Sequence, residues 1–162
     1  GEVLGMSSSF GEAFFKAQEA TQTKLPTEGT ALLSIGDRDK AELIEVAKGL
    51  HECGFKIIAT GRTCDMIREA GIEAEKVAKI DEGRPNVLDV ISNGKIDLIV
   101  NTPIGKKGAS DDSYIRKAAI KNRVAYMTTM AAAKATVEGI KAVKNEEWLP
   151  VKLLQEFHAE IQ

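Results

Sequence analysis

Short, strongly β-forming runs alternate along this chain with stretches of helical periodicity, and that alternation restricts it to a parallel sheet built from βαβ units. The runs are Thr30–Ile35, Lys56–Thr60, Lys76–Ile80, Asp97–Asn101 and Val124–Thr128. The central ones, Ala31-Leu32-Leu33-Ser34-Ile35 and Leu98-Ile99-Val100, are continuously apolar, as suits strands covered by helices on both faces. Between them, Leu43, Val46, Ala47 and Leu50 recur at i, i+3, i+4 and i+7 within Lys40–Cys53, one stripe aimed at a sheet. Gly54 follows where a helix-ending glycine belongs. Thr63–Ala70 is expected as a short helix stopped by Gly71, and Pro85 is expected to open a helix running to Ser92, closed by Asn93-Gly94. Ser110–Asn122 and Met130–Val143 are two more helices. Parallel strands need right-handed crossovers, which helices of these lengths can make. The expectation is a three-layer, doubly wound α/β fold on a five-stranded, mainly parallel sheet.

The two ends depart from this rhythm. Ser8–Ala20 reads as an amphipathic helix with Phe10, Phe14, Ala17 and Ala20 along one side, followed by a polar stretch, Thr21–Gly29, containing Pro26. Residues 1–25 are therefore expected to form a lead-in helix and linker from a preceding domain, and residues 26–162 the α/β domain. A start without Met suggests a segment of a longer chain. The tail from Glu146, with Trp148, Leu149, Val151, Leu153 and Leu154, is expected to pack back as a short extension and a helix.

At 162 residues, the chain is long enough for one domain with a sizeable core. A net charge of −2 gives no electrostatic reason to expect nucleic acid or an anionic membrane. No apolar run approaches the roughly 20 residues of a spanning helix, and the start Gly1-Glu2-Val3-Leu4-Gly5 lacks the features of a secretory signal. Cys53 and Cys64 show neither metal-ligand spacing nor a disulfide framework and read as free thiols of a reducing cytoplasm. His51 and His158 read as surface or helix-end residues.

In an open parallel sheet, ligands sit beyond the carboxyl ends of the strands, where strand order reverses. The residues at those ends are Ser34, Gly36, Asp37, Asp39 and Lys40; Thr60-Gly61-Arg62-Thr63; Lys79 and Asp81-Glu82-Gly83-Arg84-Pro85; Asn101-Thr102-Pro103; and Thr128-Thr129. The set is rich in hydroxyls, amides and lysines and poor in general bases. Thr60-Gly61-Arg62-Thr63 runs straight into a helix, whose free N–H groups favour an anion. Lys40 and Lys79 supply point charges for phosphate oxygens, and Ser34, Thr60, Thr63 and Asn101 supply hydrogen bonds. Any one of these hydroxyls alone would read as a helix cap. Convergence of four successive strand ends on one chemistry favours a phosphorylated ligand. There is no Walker loop or Gly-x-Ser-x-Gly elbow, and no histidine follows a strand.

Several of these runs carry a family resemblance. Ala59-Thr60-Gly61-Arg62-Thr63, Glu82-Gly83-Arg84-Pro85, Val100-Asn101-Thr102-Pro103, Asp112-Ser113-Tyr114-Ile115-Arg116 and Tyr126-Met127-Thr128-Thr129 occur in order. They follow Phe10-Gly11-Glu12-Ala13-Phe14-Phe15-Lys16-Ala17-Gln18 and Ala31-Leu32-Leu33-Ser34-Ile35. The chain resembles, nearly end to end, the C-terminal allosteric domain of the large subunit of carbamoyl phosphate synthetase, which has the methylglyoxal-synthase-like fold. The resemblance implies a nucleoside monophosphate effector, UMP or IMP, at Ser34, Lys40, Thr60, Thr63, Lys79 and Asn101. It implies ornithine contact at Thr128 where that activator is used, and N-acetylglutamate in the urea-cycle branch. Some members carry a hydroxyl where this chain has Pro103, so that phosphate contact is expected to be either lost or replaced by Thr102. The loop Gly105–Ser110 does not decide between effectors.

The implied parent is a cytoplasmic ligase serving pyrimidine and arginine biosynthesis. It uses ATP with Mg2+ or Mn2+ and K+, upstream synthetase domains and a small glutaminase subunit, whereas this segment by itself implies no cofactor and no catalytic residue. Two relatives of the fold are enzymes. Methylglyoxal synthase places its aspartate in a Gly-Gly-Asp-Gln-Gln-type run, where this chain has Asp81-Glu82-Gly83-Arg84-Pro85, and only part of its phosphate loop is kept in Thr60–Thr63. The cyclohydrolase half of a bifunctional purine-synthesis enzyme starts with a similar strand, but its downstream motifs are missing here. A third reading is an oligomerisation module using the faces of Phe10–Ala20 and the tail.

Overall fold

In the computed structural model, which describes residues 2–21, 24–103, 109–145 and 152–160, the strands pair in one sheet and every neighbour is parallel. β1 (Thr30–Ser34) lies centrally between β2 (Lys56–Thr60) and β4 (Leu98–Asn101). β3 (Glu75–Val77) flanks β2 and β5 (Ala125–Met127) flanks β4. The order β3-β2-β1-β4-β5 reverses direction between β1 and β4, where Leu32 stands opposite Ile99 and Ser34 opposite Asn101. The sheet is thus parallel throughout.

Period-2 alternation splits each central strand between two cores. Ala31, Leu33, Ile57, Ala59, Leu98 and Val100 join one cluster. Over it lie α1 (Phe10–Glu19), α2 (Leu43–Glu52), α3 (Gly61–Glu69) and α6 (Met130–Lys144). Leu32, Ile58 and Ile99 join the opposite cluster, under α4 (Val87–Ser92) and α5 (Ala109–Asn122). Because both faces are covered, Leu32, Leu33, Leu98 and Ile99 are fully buried, which is why their strands show no polar alternation. Cys53 and Cys64 are free and buried, and burial pushes both thiols above their ordinary pKa. Among the described residues no helix is long and apolar enough to cross a membrane.

The structure corrects several expected boundaries. The helix expected over Lys40–Cys53 is a 3-10 helix, Asp37–Glu42, leading into α2, whose first buried residue is Leu43. The third strand ends at Val77 because Ala78 turns away to bridge Asn86. Pro85 does not open a helix: it follows a cis Arg84–Pro85 bond, and α4 starts only after Asn86. Asn86 Oδ1 accepts from the backbone N–H of Leu88 and Asp89, while the Asp89 carboxylate accepts from Asn86 N, a reciprocal cap that defines the start.

The apolar face expected for α1 is rotated: Phe10 is 70% exposed, and the buried residues are Gly11, Glu12 and Phe15. The cause is a backbone-to-backbone crossing with α6, since a Cβ added at Gly139 would lie 2.7 Å from Gly11 O. Glu12 is buried there with its charge matched by Lys16 Nζ at 2.7 Å, and it accepts from Ser7 Oγ at 2.7 Å. In the tail, α7 (Leu154–Ala159) forms as expected, but it buries no residue, and Leu153 and Leu154 stay exposed. Trp148, Leu149 and Val151 lie outside the described residues.

One ionic clasp anchors the 3-10 helix and α2 to α6. Lys134 Nζ lies 2.7 Å from both Glu42 and Glu45, and the two carboxylates hold its pKa at about 12. A lysine raised in the fold stabilises it fully below the ordinary value of 10.5 and loses that contribution as pH rises through about 12. Lys134→Met is therefore expected to lower the unfolding midpoint at neutral pH, with the gap to the parent closing as the pH approaches about 12. A gap that stays constant across that range would refute the assignment.

Candidate functional site

The same alternation that buries Leu32, Ile58 and Ile99 places Ser34, Thr60 and Asn101 next on that face, at the carboxyl ends of three adjacent strands. All three are at least nine-tenths buried. Thr60 Oγ1 donates to Ser34 Oγ at 3.3 Å, so the row is in contact between β2 and β1. Thr60 is also the N-cap residue of α3, yet its side chain makes no capping bond. The first-turn N–H groups of α3 are left without a side-chain cap, and Gly61 opens that turn at φ +39°.

Two further hydroxyls brace the loop after β1. Thr63 Oγ1 accepts from Ile35 N at 3.3 Å and lies 3.4 Å from Ile35 O, joining α3 to the end of β1. Gly36 N donates to Thr102 Oγ1 at 2.8 Å across the reversal point. Gly36 passes so close to β4 that a Cβ there would meet Pro103 O at 2.8 Å, so a side chain would push the loop away.

Ser34, Thr60, Thr63, Lys40 and Lys79 line one cavity of about 70 Å3. Lys79 arrives from the turn after β3 and runs past Gly61, with its Cε 3.9 Å from where a Cβ would sit. Lys40 comes from the 3-10 helix with its side chain only 13% exposed, paired with Asp37. Arg62 and Asp37 add to the charged lining, giving three cations to one carboxylate among the described residues. Its hydrogen bond to Lys40, then the charges of Lys40, Arg62 and Lys79, hold Asp37 below the ordinary carboxylate pKa, the wrong direction for a general base near neutrality. At about 70 Å3 the cavity exceeds several-fold the roughly 10–15 Å3 that one water needs, so it has room for a compact oxyanion, and any larger body extends outside.

The remaining nominated residues stand apart. Asn101 sits across the reversal point, where its Nδ2 donates to Asp112 Oδ1 and Tyr126 OH, both at 3.0 Å. Its Oδ1 is buried without a partner among the described residues. Thr102 is fully buried, its hydroxyl taken by Gly36, and it does not line the cavity. Thr128 lines a separate open depression of about 900 Å3 beside Arg116 and Arg123. Sequence reasoning assigned no ligand-facing role to Asp37, Arg62, Asp112 or Tyr126. The signal for Asp37 was its spacing of three from Lys40 in what proved a 3-10 turn. Volume alone does not choose the site. A depression of about 640 Å3 lies at the amino ends of the strands by Thr30 and Lys56, where His51 and Gly54 close α2 and, among the described residues, no helix N-terminus lines it.

Together these features define a doubly wound α/β domain whose strand ends gather hydroxyls and cations around one cavity. The family model described as the MGS-like domain matches residues 42–128, and the chain belongs to that family. It is 49% identical over 159 residues to the C-terminal section of the carbamoyl phosphate synthase large chain of Methanopyrus kandleri, covering 98% of this chain and 29% of that one. It is 47% identical over 161 residues to the carbamoyl phosphate synthase large chain of Archaeoglobus fulgidus, covering 99% and 15%. The chain thus spans less than a third of either relative. The crystal structure of ForH superposes with a TM-score of 0.54 at 22% identity, covering 76% of this chain and 83% of that one, a likeness of fold alone.

Proposed function

We propose that this chain is the effector-binding, regulatory domain of a carbamoyl phosphate synthase large chain, and that a nucleoside monophosphate of the UMP or IMP type binds through its phosphate. The observation that carries this reading is the shared cavity of Ser34, Thr60, Thr63, Lys40 and Lys79 at the uncapped start of α3. Three cations and the helix N-terminus complement a dianion. The sugar and base extend along the sheet edge toward Asn101, whose free Oδ1 accepts from a ligand hydroxyl or N–H. Where ornithine acts, its contact is at Thr128, outside this cavity.

Regulation requires that the effector bind two states of the whole enzyme with different affinity. This domain supplies the binding energy. Carbamoyl phosphate synthesis for pyrimidines and arginine, with its ATP, divalent metal, K+ and glutaminase partner, belongs on this reading to the parts outside the chain.

The test is calorimetric titration of the chain with UMP, IMP, ornithine and N-acetylglutamate. Saturable binding of a monophosphate, competed by inorganic phosphate and absent for the matching nucleoside, is the expected result. Equal binding of nucleoside and nucleotide, or rapid release of methylglyoxal from dihydroxyacetone phosphate, would replace the proposal with another.

A further inference from the structure

A lysine that grips a phosphate has to present its ammonium to the ligand, but Lys40 is already engaged. Its Nζ donates to the carboxylate of Asp37, and both residues line the same small cavity. The 3-10 helix Asp37–Glu42 enforces this pairing, since with three residues per turn positions i and i+3 eclipse. Burial is lopsided: the Lys40 side chain is 13% exposed and that of Asp37 is 77%. The lysine is tucked in at the cavity wall, and the carboxylate reaches it from the solvent side. Among the described residues Asp37 is the only acidic one in the lining, which it shares with Lys40, Arg62 and Lys79.

We infer that Asp37 is a resident anion of the cavity, holding Lys40 until an incoming phosphate displaces it, and that it thereby sets the affinity of the site. This rests on the reading above that the cavity takes phosphate. An ammonium has three donors, so it can in principle serve both anions. A phosphate oxygen and the carboxylate would then be held on one ammonium in the same small cavity, however, and like charges that close repel. Its exposure lets Asp37 swing out without breaking any packing.

A plain structural role competes with this one, because Asp37 and Asp39 both lie in the first turn of the 3-10 helix, where negative charge is favourable. Asp39 shares that turn but does not line the cavity, which makes it the control.

The experiment titrates the intact chain with inorganic phosphate. Asp37→Asn, and Asp37→Ser as a second neutral variant, are expected to bind on the order of tenfold more tightly than the parent. Asp39→Asn is expected to match the parent. In a Lys40→Met background the gain from Asp37→Asn should disappear, because it acts through that ammonium. If the parent binds saturably and the Asp37 variants bind no more tightly, or Asp39→Asn gives the same gain, the inference is wrong while the phosphate reading stands. If neither the parent nor the Asp37 variants take up phosphate at millimolar concentration, the phosphate reading itself fails and the inference falls with it.

Discussion

Replacing Lys40 and Lys79 together with methionine is expected to weaken nucleoside monophosphate binding by at least about a hundredfold, with little change in fold. The estimate follows from charge-assisted hydrogen bonds, at about 1.5–3 kcal/mol each, against about 1.4 kcal/mol per factor of ten in affinity. The two lysines reach the cavity from different elements, the 3-10 helix and the turn after β3, so neither can cover for the other. Methionine keeps most of the apolar stem, so the walls stay packed and the loss is one of charge. Calorimetry measures the affinity and circular dichroism checks the fold. Retention of near-parent affinity would place the phosphate elsewhere, and the 900 Å3 depression beside Thr128 would be the next region to test.

Leu32→Ala is expected to destabilise the fold by about 2–5 kcal/mol, the range for truncating a buried leucine into a cavity. Leu32 is fully buried in the central strand, in the cluster with Ile58, Ile99, Val87 and Ile91. Strands on both sides prevent collapse around the gap. At roughly 2–4 °C per kcal/mol for a chain of this size, the unfolding midpoint should fall by about 4–20 °C in a thermal melt. The effect also reaches function, because Leu32 lies two residues before Ser34 on the same face, directly under the Ser34–Thr60 contact. Effector affinity should therefore drop more than distance from the ligand alone would suggest. A melt within a degree or two of the parent would mean that this layer is not the core described.

The elements of the sheet were legible because their signals are local. Continuous apolar runs marked β1 and β4, and the helical stripe Leu43, Val46, Ala47, Leu50 marked α2 with its buried side correctly oriented. Where a competing contact came from elsewhere in the chain, the local signal misled. The phenylalanines of α1 make a plausible apolar stripe, yet Gly11 against Gly139 permits a closer crossing and turns Phe10 to solvent. Pro85 misleads for a different, local reason: it is a sound helix opener in isolation, but the next residue, Asn86, carries the reciprocal cap and takes the boundary. Leu153 and Leu154 suggest a buried tail, and they are exposed.

The site divides in the same way. Hydroxyls and lysines after each strand could be read directly, as could the turn into α3. That Lys40 is occupied by Asp37, rather than by its sequence neighbour Asp39, depends on the pitch of a 3-10 turn that begins before the helix expected from Lys40. That Thr102 spends its hydroxyl on Gly36 depends on a close approach between segments far apart in the chain.

Sequence alone determined which segments become strands and what chemistry stands at their ends, because alternation, apolar run length and turn residues act over a few neighbours. Tertiary structure alone decided that β1 lies beside both β2 and β4, so that Ser34, Thr60 and Asn101 form one row. Lateral order is set by covering both faces of the sheet at once through right-handed crossovers, a condition on the whole chain that no short window of residues can express.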